Sequence, residues 1–155
     1  MELSKKVNKK FDKPSLRLII TFWVLIGVFL LIVGQFFIPA ITELFRGSLL
    51  FLLPFVIFSL LGGLLIFFTV KEKIEGALRK FLILAGVSAA GFFVSVLLHN
   101  FLYALGVITS NIAILRYLME ILHVTFFLIA IFVCPLGFLI GAIGSIIILV
   151  KRKRL

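Results

Sequence analysis

Four long apolar blocks without a charged residue alternate with short polar segments along this chain. The blocks span residues 18–38, 48–70, 81–105 and 121–150. A helix needs about 20 apolar residues to cross the hydrocarbon core of a bilayer, and every block reaches that length. The pattern predicts an all-α integral membrane protein, with one four-transmembrane-helix bundle over residues 18–150 arranged as two hairpins.

Prolines and small polar residues mark where these blocks are interrupted. Pro39 ends the first block, and Thr109–Asn111 form a predicted turn after the third. The less apolar segment 106–120 is expected to form a short interfacial helix that leads into the last span. The fourth block is longer than one perpendicular crossing, so we expect tilt, a kink at Pro135 or an extension beyond the membrane.

The basic residues are distributed asymmetrically around the blocks. Of the 16 Lys and Arg residues, all but Arg46 and Arg116 lie in the tails 1–17 and 151–155 or in the segment 71–80 between the second and third blocks. Basic residues accumulate on the cytoplasmic side of membrane proteins. The distribution therefore predicts cytoplasmic N- and C-termini, with the segments around Glu43 and Ser110 outside.

Composition and charge limit the classes of partner and the cellular location that we expect for this chain. The chain is 63% hydrophobic with a mean hydropathy of +1.33, above the 45–50% apolar content typical of soluble domains. The net charge of +10 sits only at the ends of the blocks, unlike the basic face of a nucleic-acid-binding protein. We expect a multi-pass protein of the cell membrane that contacts anionic lipid at its cytoplasmic face and binds no nucleic acid.

Small residues recur inside the blocks at spacings that let two helix backbones approach closely. In the fourth block Gly137, Gly141 and Ser145 share one helical stripe, which predicts a helix–helix contact, with the lining of a pore or ligand cavity as the alternative. The full predicted set of helix-packing residues is Gly62, Gly63, Gly86, Ala90, Gly137, Gly141 and Ser145. The partner helix belongs to the same chain, to a second copy or to another membrane subunit.

A polar stripe runs along the third block. Ser88, Ser95 and His99 align at 100° per residue, and Asn100 stands beside them as a further candidate for interhelical hydrogen bonding. Hydrocarbon satisfies no polar group, so this stripe is expected to face the interior of the bundle.

The two histidines are the candidate cofactor-binding residues. His99 lies in the outer half of the third block and His123 near the outer start of the fourth, so both imidazoles are expected on the same side of the bundle. Two facing imidazoles could ligate a haem or a metal or relay protons. The competing interpretation is structural: His99 as a hydrogen-bonded clamp between helices and His123 as an interfacial residue.

No catalytic motif stands out, so no catalytic residue and no cofactor is predicted. No Asp or Glu lies inside a block, whereas ion-coupled transporters commonly use an intramembrane carboxylate. We expect an interaction or accessory subunit of a membrane complex rather than an enzyme. One alternative is a small oligomeric transporter or channel. It is suggested by a two-hairpin repeat, because the second and fourth blocks share an early proline, Pro54 and Pro135, and a Val-Lys end. The other is a haem- or metal-binding oxidoreductase subunit that uses His99 and His123.

Overall fold

The computed structural model describes residues 14–45 and 48–153. Within these residues the chain forms helices and turns and no strand. The helices are α1 (Leu16–Phe37), α2 (Pro39–Phe45), α3 (Leu53–Lys71), α4 (Gly76–Ile108), α5 (Ala113–Leu128) and α6 (Cys134–Lys153). A 3-10 turn, Leu49–Leu52, leads into α3, and a π-helical turn, Ile129–Val133, joins α5 to α6.

Four helical segments are long and apolar enough to cross a membrane, as the hydrophobic pattern predicts. They are Leu16–Phe37, Leu50–Lys71, Gly76–Ile108 and Ala113–Arg152. Each buries only about a third of its apolar window or less inside the chain, which leaves the rest facing outward. The basic tail up to residue 13, together with Arg46 and residues 154–155, lies outside the described residues.

The residues that follow the first block form the short helix α2, and residues 46–47 after it lie outside the described part of the chain. Proline has no N–H to donate and a φ that suits the first turn of a helix, so Pro39 ends α1 and at the same time begins α2. The Thr42 hydroxyl donates to the Gln35 carbonyl at 2.7 Å, which holds α2 against the end of α1. Helix α2 therefore packs against the end of α1 and also contacts the 3-10 turn that leads into α3.

The start of α1 is tied to the end of α3 by hydrogen bonds. Ser15 caps α1 by accepting from the backbone N–H of Leu18 at 3.2 Å. The Glu72 carboxylate accepts from the backbone N–H of Ser15 at 3.0 Å and from its hydroxyl. This end of the bundle also holds the α3–α4 turn and the end of α6, and we call it the basal end; the opposite end, with α2 and the α4–α5 turn, is the distal end.

Helix α4 is the centre of the bundle and packs against α3, α5 and α6, while α1 packs on α3. Phe138 on α6 contacts both α1 and α3. The centroid of its ring lies 4.6 Å from that of Phe29 on α1 and 5.0 Å from that of Phe58 on α3. The Phe138 side chain is 1% exposed. Three of the four long segments thus meet at one ring.

Small residues occupy the closest helix contacts. A Cβ added to Gly62 would lie 2.7 Å from the Gly86 carbonyl oxygen on α4 and 2.8 Å from the backbone nitrogen of Ala90. The Ser59 hydroxyl donates to the Ala90 carbonyl across the same contact at 3.1 Å. On the other side of α4, a Cβ on Gly141 would lie 2.6 Å from the backbone nitrogen of Ala85.

The rest of the small-residue set divides into buried and exposed members. Gly137 lies against Ser88 of α4, and Ser145 is fully buried. Gly63 departs from the predicted packing role, because a Cβ there would meet nothing within 4 Å and the residue is exposed. One residue along a helix is a rotation of about 100°, which turns Gly63 away from α4 when Gly62 faces it.

In the final membrane segment, most of the predicted interfacial helix is continuous with the last span. Ala113–Arg152 is helical over 40 residues, and α5 passes through the π-helical turn directly into α6. Pro135 lacks an N–H, and its ring would clash with the carbonyl four residues earlier in a regular helix. The π-helical turn ends at Val133, two residues before Pro135, and widens the helix there, so Pro135 is accommodated without ending the helix.

Candidate functional site

The distal halves of α4 and α5 form an antiparallel pair that stands apart from the rest of the bundle. Helix α5 packs mainly against α4 and the π-helical turn, and none of its residues is buried. The two backbones come close at Gly106, where an added Cβ would lie 3.3 Å from the Cβ of Met119. His99 and His123 lie on the facing sides of this pair.

The two imidazoles are hydrogen-bonded in a way that fixes which nitrogen carries hydrogen. His99 Nδ1 lies 2.9 Å from the backbone oxygen of His123, and His123 Nδ1 lies 3.1 Å from that of Met119. A carbonyl oxygen only accepts, so Nδ1 is the donor in both rings and Nε2 is the nitrogen left for other interactions. The first of these bonds links α4 to α5, as the helix-clamp interpretation of His99 requires.

Aromatic rings surround the histidine pair. The His99 and His123 ring centroids are 5.4 Å apart with an angle of 43° between the ring planes. The Phe127 ring lies 5.2 Å from that of His99, and the Tyr103 ring lies 5.6 Å from that of His123. The pair is thus bordered by an apolar ring on one side and a phenol on the other.

On the basal side of His99 is a half-enclosed apolar cavity of about 260 Å³. Its wall comes from α1, α3, α4, α5 and the turns beside them. Among the described residues that line it, His99 is the only one with a nitrogen in its side chain. The lining residues are Phe36, Phe51, Leu52, Phe55, Phe92, Phe93, Val96, His99, Phe127, Ala130 and Ile131. The size is close to the lower end of small-molecule pockets, about 300–1,000 Å³.

On the distal side of His123 is a more open groove of about 570 Å³. We call it the polar groove because it carries charged and hydrogen-bonding side chains on partly apolar walls. A guanidinium, a carboxylate, a phenol, a hydroxyl and an imidazole line it between the two helices. The lining residues are Tyr103, Gly106, Val107, Ser110, Arg116, Glu120 and His123. Arg116 also lies over the Tyr117 ring, with its Cζ 5.7 Å from the ring centroid. An apolar cavity and a polar groove therefore flank the histidine pair.

The predicted polar stripe of α4 is only partly directed inward. Ser88 and Ser95 are buried, and His99 reaches α5. Asn100, predicted as an interhelical partner, is exposed and its Nδ2 donates to the Val96 carbonyl of its own helix at 2.9 Å. It stands one residue beyond His99, on a face turned away from α5, and its own helix supplies its acceptor.

Metal ligation at this site would rest on two nitrogen atoms. Among residues 14–45 and 48–153, no group of three His, Cys, Asp or Glu side chains is placed to hold an ion. Metal-ligating histidines usually anchor their other nitrogen on a carbonyl or carboxylate, as both rings do here through Nδ1. A metal bound at the two Nε2 atoms would need non-protein ligands to complete its coordination.

Replacing His99 separates the structural role from the ligand role. His99→Leu removes the bond to the His123 carbonyl and should lower the free energy of unfolding by about 0.6 kcal/mol and at most about 1.7 kcal/mol, the average and the maximum for hydrogen bonds between membrane helices. His99→Gln keeps an N–H donor and should lose less. Unfolding in detergent gives both values, and metal analysis with a visible spectrum of wild type and His99→Gln tests ligation. A colourless, metal-free wild type would remove the ligand hypothesis.

The groove was not predicted, because the histidines alone do not indicate the charged residues that lie beside His123 in the folded chain. Arg116, Glu120, His123 and Phe127 follow one another at steps of four, three and four residues, which places them on one face of α5. That spacing is the signal that could have revealed the groove. Comparison with known proteins adds no function: no protein-family model, no curated protein and no solved structure matches the chain.

Proposed function

We propose that this chain is an accessory subunit of a membrane complex, with cytoplasmic termini and two membrane hairpins, and that it contacts its partner through the distal part of α4 and α5. The orientation rests on the basic residues of the tails and of the α3–α4 segment. In that orientation the α4–α5 turn lies outside.

The observation that carries the proposal is the length of α4. Its 33 residues measure about 50 Å at 1.5 Å per residue, against about 30 Å of hydrocarbon. The charged side chains of Arg79 and Lys80 favour the cytoplasmic edge of the hydrocarbon core. A crossing takes about 20 residues, so the outer edge of the core lies near Asn100. Residues 101–124 then form a helical arm in the outer headgroup region and beyond, which we call the distal arm.

One face of the distal arm carries large apolar side chains. Ile114, Leu118 and Ile121 are spaced by four and three residues, and their side chains are 82%, 49% and 65% exposed. They lie about 180° around α5 from Arg116, Glu120 and His123. Apolar side chains clustered outside the hydrocarbon indicate an interaction surface, so this apolar stripe is the proposed contact with a partner polypeptide.

A photo-activated cross-linking residue at position 114 tests the proposal in native membranes. We expect a discrete adduct between this chain and a second, different membrane polypeptide. Val87 provides the matched control, because it is 52% exposed on the middle of α4 and should form lipid adducts. Lipid adducts alone at both positions would contradict the proposal, and adducts between two copies of this chain would replace the accessory role with self-association.

A second function has one specific observation in its favour. Both imidazoles are anchored through Nδ1 on backbone carbonyls, which is the arrangement that usually supports metal-ligating histidines. A metal- or haem-binding redox subunit is therefore the alternative, and the spectrum and metal analysis of wild type and His99→Gln decide between the two roles.

A further inference from the structure

The α4-facing side of α5 and of the π-helical turn that follows it changes from polar to apolar along the chain. Ala130 and Phe127 line the apolar cavity, His123 stands at the change, and Glu120 and Arg116 line the polar groove. His99 borders the cavity and His123 borders the groove, and the centroids of their rings are 5.4 Å apart, so the two spaces adjoin end to end along the α4–α5 contact. We call these two adjoining spaces the path. A ligand that fills the path must be apolar at one end and polar at the other.

We propose that this path binds one phospholipid of the outer leaflet, with an acyl chain in the apolar cavity and a headgroup that carries both a phosphate and an ammonium in the polar groove. This site is separate from the apolar stripe proposed to contact a partner, since the two occupy opposite faces of α5. It assigns a ligand class to the cavity and to the side chains of the groove.

The depth of the path matches the depth of such a lipid. The hydrocarbon boundary estimated from Lys80 falls near Asn100, one residue from His99. The phenylalanine-lined cavity therefore lies at acyl-chain depth, and the groove with Arg116 and Glu120 lies at headgroup depth. The histidine pair stands at the level where the chains of a phospholipid join its polar part.

The charges of the groove select the headgroup. Arg116 offers a planar set of donors that suits a phosphate, and Glu120, one helical turn away on the same face, offers an acceptor for an ammonium. A headgroup with a phosphate alone would leave Glu120 facing added negative charge. The pair therefore favours a zwitterionic headgroup of the ethanolamine type over an anionic glycerol type.

Native mass spectrometry of protein extracted from vesicles of equimolar phosphatidylethanolamine and phosphatidylglycerol tests the site. We expect one retained phosphatidylethanolamine per chain, in about tenfold excess over retained phosphatidylglycerol, the scale of one charge-assisted contact. The double variant Arg116→Gln/Glu120→Gln should abolish the excess, because it removes both charges that recognise the headgroup. Both side chains are exposed, so their replacement leaves the fold intact. Arg79→Gln, a basic residue at the basal end, is the control and should keep the excess.

A second variant tests the acyl-chain end of the path. Val96→Phe narrows the apolar cavity and should lower retention of either lipid, with unchanged helix content by circular dichroism. If Val96→Phe fails to fold, the charge variant still decides the proposal. Equal retention of the two lipids by wild type, or a preference that survives Arg116→Gln/Glu120→Gln, would overturn it, whether or not cross-linking finds a protein partner at position 114.

Discussion

Gly141→Leu is expected to destabilise the folded protein by about 3 kcal/mol, the upper part of the range for overpacking. A Cβ at this position would lie 2.6 Å from the backbone nitrogen of Ala85 and 2.8 Å from the Phe81 carbonyl oxygen. Backbone atoms cannot swing aside as a flexible side chain can, so α6 must move away from α4. That movement would also separate Ser145 and Phe138 from their neighbours.

Gly63→Leu is the matched control for this prediction. The substitution is chemically the same and also lies in the middle of a membrane helix, but a Cβ on Gly63 meets nothing within 4 Å. We expect a change within about 0.5 kcal/mol there, as for surface positions. Unfolding both variants in mixed micelles measures the difference, and equal stability of Gly141→Leu and Gly63→Leu would show that α4 and α6 do not approach closely.

Phe138→Ala should cost about 3 kcal/mol for a different reason. In a bilayer the surroundings of an unpacked helix are as apolar as the core, so transfer from water contributes little to packing between helices. The remaining cost is that of the empty space left by the ring. A cavity destabilises a folded protein by about 24 cal/mol per Å³, and this one is roughly benzene-sized, about 150 Å³ or less. The ring is 1% exposed between Phe29 and Phe58, so neighbouring helices cannot easily fill that space.

Phe101→Ala provides the comparison for the ring deletion. The Phe101 side chain is 60% exposed on α4, so lipid or headgroups fill the space that the ring vacates. We expect a change within about 0.5 kcal/mol from the same chemical deletion. Similar losses for Phe138→Ala and Phe101→Ala in the same unfolding measurement would mean that Phe138 faces lipid and that α6 does not close the bundle against α1 and α3.

The number and position of the long helices could be predicted from sequence, because a run of uncharged apolar residues has few alternatives in a membrane chain. The boundaries were harder. The third predicted block begins at Phe81, whereas α4 begins at Gly76, since charged residues such as Arg79 and Lys80 are as compatible with a helix end outside the hydrocarbon as with a loop. Likewise Pro135 signals a local disturbance without specifying a π-helical turn.

The candidate site was less predictable than the helices. Helical periodicity relates residues within one helix, so it groups Ser88, Ser95 and His99 but does not identify which helix they face. In soluble proteins hydrophobicity identifies the buried face, whereas here lipid and the protein core are both apolar. Nothing in the sequence therefore separates the cavity-lining Phe92 from the exposed Phe101.

The pairing of the two histidines illustrates the same limit. The topology predicted from Lys and Arg puts both rings on one side of the membrane. It does not predict the hydrogen bond from His99 to the His123 carbonyl, because that bond depends on the rotation of α5 about its own axis. That rotation follows from packing, including the close approach of Gly106 to Met119. Such packing depends on contacts between residues far apart in the chain, which the residue pattern within a single segment does not predict.

The most direct test of the central claim is the sidedness of the distal arm, measured by cysteine labelling in a Cys134→Ala background. Ser110→Cys and Glu43→Cys should react with a membrane-impermeant maleimide added to intact cells, because both positions are exposed on the distal side. Ser4→Cys and Lys153→Cys should react only after the membrane is opened. Labelling of Ser110→Cys only in opened cells would contradict the proposed orientation and place the arm, its apolar stripe and its groove on the cytoplasmic side.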